Sequence, residues 1–349
     1  MLLPPAALHV VLAAAFLATT AVLQAAAPYG WGYNTSGMLG DRSNTNRPSA
    51  VATDVSGVFS GKTITAIVSS ATAAHTLALT SDGKVYAWGA NNKGQLGNNS
   101  TTSYPYPVAV DMTGALLGKT VVALAAGYEH SLALTSDGGI YAWGSNVAGE
   151  LGTGSPSDSL VPVAVDTGGV LSGKTIQQIQ AGWGTSAVLD SNGQVYTWGS
   201  GNSLGNSSAS ASTVPVAVDT GGVLSGKTVS KLRVGGFHML VQTTDGMLFG
   251  WGVNNRGQIG DGTSGTNRLS PVAVDVTGVL ATKTITDISA GYQHSLALAS
   301  DGTVYAWGAD DAMALGNATT TVQADSPVAV DMTGVLSGKT VAAISAGTF

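Results

Sequence analysis

An all-β repeat fold, a radial ring of four-stranded sheets, is what this sequence predicts, and three observations predict it. Tryptophans at Trp31, Trp88, Trp143, Trp198, Trp251 and Trp307 end near-copies of one phrase, Tyr-Ala-Trp-Gly or a variant, at steps of 57, 55, 55, 53 and 56 residues. Such a period marks a solenoid, propeller or array, in which a unit buries its apolar face only against its neighbours. Asp-Gly or Asn-Gly turns recur between partly alternating apolar runs, at Asp82-Gly83, Asp137-Gly138, Asn192-Gly193, Asp245-Gly246 and Asp301-Gly302, and such turns signal hairpins. The composition, with 48 Gly in 349 residues and 10% charged side chains, suits short strands joined by tight turns and does not suit helical repeats.

The unit starting at Ala126 shows the elements in order. His130-Ser-Leu-Ala-Leu-Thr135 forms one strand, Asp137-Gly138 the turn, and Ile140 to Gly144 a second strand ending at the Trp-Gly pair. A loop of the form Asn-x-x-Gly-x-Leu-Gly follows at Asn34, Asn91, Asn146 and Asn254, where Asn and Gly favour tight turns and the Leu or Ile plugs the gap beneath. The loop is shorter around Asn202, and Asp310-Asp311 replaces its Asn after Trp307. Pro-Val-Ala-Val-Asp then marks an outer strand at Pro107, Pro162, Pro215, Pro271 and Pro327, with proline at the strand's first residue. A Gly-Lys-Thr-type tail leads to a short fourth strand such as Val121 to Leu124. Asp and Lys recur at one spacing (Asp54/Lys62, Asp111/Lys119, Asp166/Lys174, Asp219/Lys227, Asp275/Lys283, Asp331/Lys339), which predicts an exposed Asp–Lys contact or turn cap.

Four strands per unit, arranged radially, make a β-propeller. The motifs G-x-x-H-S-L-A-L, S-D-G-x-V-Y-A-W-G and N-x-x-G-x-L-G resemble the repeats of the regulator of chromosome condensation family, over about residues 29 to 349. The resemblance implies a propeller, seven-bladed in the best-known members. About six units are visible here. The hairpins starting near His75, His130, Thr185, His238 and His294 are five, and the unit at Trp31 lacks its hairpin's first strand. The expectation is a fragment, or an open, incompletely closed ring. The domain division expected is a signal peptide or N-terminal anchor over 1–27 and the repeat domain over 28–349.

Several motifs imitate chemistry. Gly168 to Thr175 and Gly221 to Thr228 fit the phosphate-loop pattern, but a strand follows each where a phosphate loop needs a helix. The repeated His75, His130, His238 and His294 are read as structural, each imidazole bonded to backbone, since equivalent positions on neighbouring blades are too far apart to share a metal. Trp88, Trp143, Trp198, Trp251 and Trp307, with the tyrosines two residues earlier, are read as inter-blade core. No loop with calcium-ligand spacing is present, and no nucleophile–base–orienter set exists, so the reading is of a non-enzyme with no metal and no cofactor.

A net charge of −6 with no basic run makes nucleic acid a poor partner. Without cysteine, neither disulfides nor thiolate sites are possible. The apolar block Leu8 to Ala27 is of signal-peptide type and points to an exported protein, secreted, periplasmic or at the cell surface, with no other membrane span. Together these predict a bacterial, secreted-type member of the family: a binding propeller that recognises a protein or glycan through rim loops. The rim residues expected to bind are Asn91, Asn92, Asn146, Asn202, Asn254, Asn255, Asp310 and Asp311. Two other functions stay open. One is guanine-nucleotide exchange on a small GTPase, which the resemblance implies through the family's founding nuclear member; the other is a structural array within a longer surface protein.

Overall fold

The computed structural model describes residues 27–70, 72–311 and 313–348. The expected leader, residues 1–27, lies outside the described residues except for Ala27. Six units follow one another in a propeller arrangement that is not closed. Blade 1 has two strands, β1 (Tyr29–Gly32) and β2 (Arg47–Ala52). Blade 2 comprises β3 (Ile64–Val68), β4 (His75–Thr80), β5 (Val85–Gly89) and β6 (Tyr104–Ala109). Blade 3 comprises β7 (Val121–Ala126), β8 (His130–Thr135), β9 (Ile140–Gly144) and β10 (Ser159–Ala164). Blade 4 is built from β11 (Ile176–Ala181), β12 (Thr185–Asp190), β13 (Val195–Gly199) and β14 (Ser212–Ala217). Blade 5 holds β15 (Val229–Val234), β16 (His238–Thr243), β17 (Leu248–Gly252) and β18 (Arg268–Ala273). Blade 6 holds β19 (Ile285–Ala290), β20 (His294–Ala299), β21 (Val304–Ala309) and β22 (Gln323–Ala329).

Every sheet is antiparallel in simple chain order, with the first strand innermost. Register in the central hairpin is uniform: Leu77 lies opposite Ala87 and Ala78 opposite Tyr86, and β8–β9 repeats the pattern with Leu132 opposite Ala142. Side chains of one blade's second and third strands pack on the next blade's first, second and third strands. Leu77, Leu79, Val85 and Ala87 thus share a core with Val121, Leu124, Tyr141 and Trp143. Each tyrosine–tryptophan pair packs between blades and faces the preceding one.

One acceptor organises each junction. The indole Nε1 of Trp143 donates to the Gln95 carbonyl at 2.9 Å, and Ser131 Oγ donates to that same oxygen at 2.9 Å. Trp198 and Ser186 converge on the Glu150 carbonyl, and Trp307 and Ser295 on that of Gln258. Trp88 and Thr76 meet at Met38. The loop carrying the acceptor packs directly on the indole: a Cβ at Gly97, where φ is +65°, would lie 2.8 Å from Trp143 Nε1.

The histidines extend this junction and correct one expectation. Their partners are side chains of the next blade, not backbone: His75 Nε2 meets Ser131 Oγ at 2.7 Å, His130 meets Ser186 at 2.9 Å, and His238 meets Ser295 at 2.8 Å. Each serine gives its single proton to a carbonyl, so the imidazole Nε2–H is the donor and Nδ1 is bare. Nδ1 of His75, His130 and His238 is buried without a partner. Between blades 4 and 5 both halves of the pair change together. Thr185 stands for the histidine and Met239 for the serine, and Gln178 bridges instead, donating from Nε2 to the Leu232 carbonyl at 2.8 Å.

One further local reading changes, and two are resolved in detail. The outer strand begins three residues before its proline: Gly89 pairs with Tyr104 and Ala87 with Val108, so Pro107 sits in a bulge where no ladder N–H is needed. Of the two readings of the regularly spaced Asp and Lys, the structure has the turn cap in all six units and not the contact. Asp111 Oδ1 accepts from Thr113 N at 2.8 Å, while Lys119 reaches Asp137 of the hairpin turn at 2.5 Å. The phosphate-loop look-alikes are these same turns: in one the Lys174 N–H donates to the Leu171 carbonyl, and a strand follows. The described residues form no α-helix.

Burial holds the imidazoles neutral. Desolvation pushes His75, His130 and His238 from the ordinary 6.5 down to about 3, and His294 to about 4. An unfolded chain therefore takes up protons at these sites below about pH 6.5 while the folded chain resists, so the contribution is complete above pH 6.5 and is lost as pH falls toward 3. Urea unfolding between pH 7 and pH 4.5 should show stability falling by on the order of 1.4 kcal/mol per pH unit for each histidine. Replacing one junction with the pair found between blades 4 and 5 (His130→Thr with Ser186→Met) should flatten that slope, and an unchanged slope would rule out the histidines as its source. Trp251→Ala should cost about 3–5 kcal/mol in the same measurement at pH 7.

Candidate functional site

Antiparallel order puts the turns between first and second strands on the same face as the Asn-bearing loops, and the Asp-Gly turns on the opposite face. On the first face the inner turns are tied into a ladder around the axis. Tyr128 N donates to the Gly182 carbonyl, Trp183 N to Gly236, and Gly236 N to Gly291, each at 3.0 Å; Tyr292 N donates to Gly347 at 3.1 Å. Glycine at the turn's first position is needed for this closeness: a Cβ on Gly127 would lie 2.5 Å from His130 Nδ1 and 2.7 Å from the Gly182 carbonyl.

The ladder gathers four aromatic rings from four blades. Tyr128 stacks on Trp183 with centroids 3.9 Å apart and planes 9° from parallel. Trp183 also lies 5.3 Å from Phe237 and 5.4 Å from Tyr292, and those two are 5.7 Å apart edge to face. All four are half-buried, which leaves an aromatic surface with Trp183 at its hub. Burial raises the Tyr128 and Tyr292 hydroxyls above the ordinary 10, so both stay neutral phenols.

Polar groups surround the rings. Asn92 Nδ2 donates to Glu129 Oε1 at 2.9 Å, Lys93 pairs with Asp158 at 3.4 Å, and Arg256 pairs with Asp311. Ser203 Oγ donates to the Phe237 carbonyl at 2.8 Å, tying the short loop of blade 4 to the cluster. Val147 and Met313 project from the same loops at 75% and 71% exposure.

The residues expected to bind fall into two groups. Asn91, Asn146, Asn254 and Asp310 are buried, and their side chains hold their own loops. Asn91 Oδ1 accepts from Leu96 N at 2.9 Å while Nδ2 donates to the Ser100 and Thr102 carbonyls; Asp310 Oδ1 accepts from Leu315 N. Asn92, Asn202, Asn255 and Asp311 are exposed on the face. The aromatic cluster escaped the sequence reading because its members lie outside the shared motifs. The available signal was the residue two before each strand-opening His or Thr, which is Tyr128, Trp183 and Tyr292 in three of the units.

Among the described residues no group of three or more His, Asp or Glu is placed to hold a metal ion, and no helix is long and apolar enough to cross a membrane. What the face can do is bury aromatic area against a complementary surface.

Comparison with known proteins agrees with this architecture. The family model of the RCC1-like domain matches residues 27–349. The chain is 34% identical over 236 residues to the ultraviolet-B receptor UVR8 of Arabidopsis thaliana, covering 67% of this chain and 51% of that protein. It is 33% identical over 242 residues to the E3 ubiquitin-protein ligase HERC2 of Homo sapiens, covering 68% of this chain and 5% of that one. The chain thus spans about half the length of the first and a small part of the second. Among solved structures, human WBSCR16 superposes with a TM-score of 0.76 at 22% identity, covering 94% of this chain and 81% of that one. Yeast RCC1 (Prp20), solved with Kap60, gives 0.73 at 24% identity, covering 91% and 74%. These relatives are eukaryotic and are not secreted or cell-surface proteins, which corrects the expected bacterial, secreted-type membership and exported localisation. RCC1-type domains act as non-catalytic exchange or scaffold modules, as expected for a non-enzyme. As a protein-interaction propeller, the chain belongs to the RCC1-like domain family.

Proposed function

We propose that a folded protein partner seats on the face centred on Tyr128, Trp183, Phe237 and Tyr292. The observation that carries this is the cluster itself: four half-buried rings from four separate blades, ringed by exposed Asn92, Asn202, Asn255 and Asp311. An aromatic centre with a polar rim is the anatomy of protein interfaces, and Trp and Tyr dominate their energetics. The rim residues then supply orientation, and the nearby Lys93–Asp158 and Arg256–Asp311 pairs place charges of both signs beside them.

Guanine-nucleotide exchange on a small GTPase is the activity proposed within this reading. A solved neighbour in fold, Prp20p of Saccharomyces cerevisiae, is described by its binding to Gsp1p and histones. Exchange asks of the propeller only a rigid surface that favours the nucleotide-free partner, and that requires no catalytic side chain.

Nucleotide release from a panel of small GTPases, with and without the full chain, tests the exchange reading; no acceleration for any of them removes it. Direct binding to the same panel and to histones, by interferometry, tests the face. Trp183→Ala should weaken whichever partner binds by at least tenfold, a cost of about 1.4–3 kcal/mol. Asp82→Asn, on the opposite face, should leave affinity unchanged. Equal loss from both substitutions, or none from Trp183→Ala, would move the interface elsewhere.

A further inference from the structure

Blade 4 lacks an ion pair that the other four-stranded blades share. In blades 2, 3, 5 and 6 the lysine of the tail reaches the aspartate of the hairpin turn that follows. Lys62 meets Asp82 at 2.8 Å and Lys119 meets Asp137 at 2.5 Å, while Lys227–Asp245 and Lys283–Asp301 are both 2.7 Å. In blade 4 the lysine is kept as Lys174, but the turn reads Ser191-Asn192-Gly193. Asn192 is exposed and uncharged, and among the described residues its backbone N–H is bonded, to Asp190 Oδ1, while its side-chain amide is not.

Asp190 does not restore the pair. Its side chain is fully covered, its Oδ1 accepts from the Asn192 and Gln194 N–H groups at 2.9 Å, and its Oδ2 accepts from the Tyr196 hydroxyl at 3.3 Å. Lys174 Nζ stands 4.0 Å from that Oδ2, beyond hydrogen-bond reach, and its side chain is 35% exposed. The tyrosine beside Lys174 is no substitute for a carboxylate, because the paired lysines have one too: Tyr86, Tyr141 and Tyr305 stand beside Lys62, Lys119 and Lys283.

Lys174 lies at the wall of a cleft of about 500 Å³ that Asn192, Gln194, Tyr196 and Lys227 also line. Gln194 turns its amide inward, donating to the Val195 carbonyl at 3.0 Å, and Lys227 is held by Asp245. The donors left for a ligand are the Lys174 ammonium and the Asn192 amide. We propose that these two bind the carboxylate of an aspartate or glutamate side chain presented by a protein partner. The carboxylate seats where the turn aspartate sits in the sister blades, with Lys174 Nζ donating to one oxygen and Asn192 Nδ2 to the other. The ligand class is specified by the four sister junctions, in each of which the corresponding lysine takes a carboxylate. Phosphate fits less well, because a phosphate site draws on backbone donors and those at hand are spent. Lys174 N donates to the Leu171 carbonyl and Gly193 N to that of Asp190, both at 3.0 Å. Charge-assisted bonds at the edge of an interface select partners and orient them. The cleft opens on the face of the Asp-Gly turns, opposite the aromatic cluster, and does not depend on the reading of that cluster.

The test titrates the isotope-labelled full chain with the blocked tripeptide acetyl-Ser-Asp-Gly-amide, and separately with acetyl-Ser-Asn-Gly-amide, and follows backbone amide shifts by NMR. The aspartate peptide should move the signals of Lys174, Asn192 and Gly193 along a curve that saturates below about 50 mM, and the asparagine peptide should need about tenfold more. Lys174→Gln should weaken the response to the aspartate peptide by about tenfold. The paired change Asp190→Thr with Asn192→Asp gives blade 4 the turn of blade 3, Thr135-Ser136-Asp137-Gly138, and should abolish the response by supplying the carboxylate from within the chain. That turn is already folded elsewhere in the ring, and unchanged signals from the other blades report that the variant is intact. Equal response to the two peptides, a response untouched by the paired change, or the absence of saturation overturns the proposal. Inorganic phosphate saturating the same signals at lower concentration than the aspartate peptide overturns the assignment to a carboxylate.

Discussion

A single backbone carbonyl per unit holds the ring together. In each loop after the Trp-Gly pair, the carbonyl of Met38, Gln95, Glu150, Ser203 or Gln258 accepts the indole proton of the next blade's tryptophan. The donor is the largest side chain in the unit, and it is buried in all five cases. A buried indole needs a partner for its N–H, so the tryptophan cannot pack without the loop, and in the loops of Met38, Gln95, Glu150 and Gln258 a buried Asn of the same loop braces the turn that presents the carbonyl. Blade spacing is therefore fixed by a bond whose two ends belong to different repeats. Blades 2 to 5 each offer an acceptor forward and a donor backward, the head-to-tail relation that propagates around an axis.

The same relation explains what could be read in advance. Strand order, hairpin turns, buried tryptophans and the plugging role of Leu96, Leu151 and Ile259 are local or periodic, and each is written in one unit and repeated. Partnerships between units were less legible. Lys119 lies 8 residues from Asp111 and 18 from Asp137; the spacing left contact and turn cap open for Asp111, which makes the cap, while Lys119 pairs with the more distant Asp137, because the hairpin turn of the same blade folds back over the tail. The serine that meets each histidine lies 56 or 57 residues away, beyond any local pattern. The aromatic cluster is harder still: Phe237 sits one position later in its turn than Tyr128, Trp183 and Tyr292, so alignment of the repeats hides a grouping that only the ring creates. Localisation was misread because it rested on a short apolar block, whereas kinship is carried by the repeats from residue 27 onward.

Blade 4 shows how a repeat departs from its own rule without losing its fold. Thr185 and Met239 replace a hydrogen-bonded pair by one with no ionisable member, and Gln178 restores a link between β11 and the next inner strand. Asn192 replaces the turn aspartate, and the carboxylate reappears two residues earlier as Asp190. There it accepts from the Asn192 and Gln194 N–H groups at 2.9 Å and lies 4.0 Å from Lys174. The carboxylate change is compensated, since Asp190 caps the turn from its new position, whereas Thr185 Oγ1 is left buried without a partner.

Blade 4 also supplies Trp183, the hub of the aromatic cluster, and the short 3-10 turn Gly201–Ser203 that is bonded to Phe237. Among the four-stranded blades, the one that departs furthest from the repeat is thus at the centre of the candidate interface. Selection for a partner acts on side chains that no neighbouring blade requires, and in a ring bound by the tryptophan–carbonyl junction those are the inner turns and the exposed positions of the loops. Trp251 keeps its carbonyl, at Ser203, even where the loop is shortened. The junction sets where the chain is free to differ, and the aromatic face is built from that freedom.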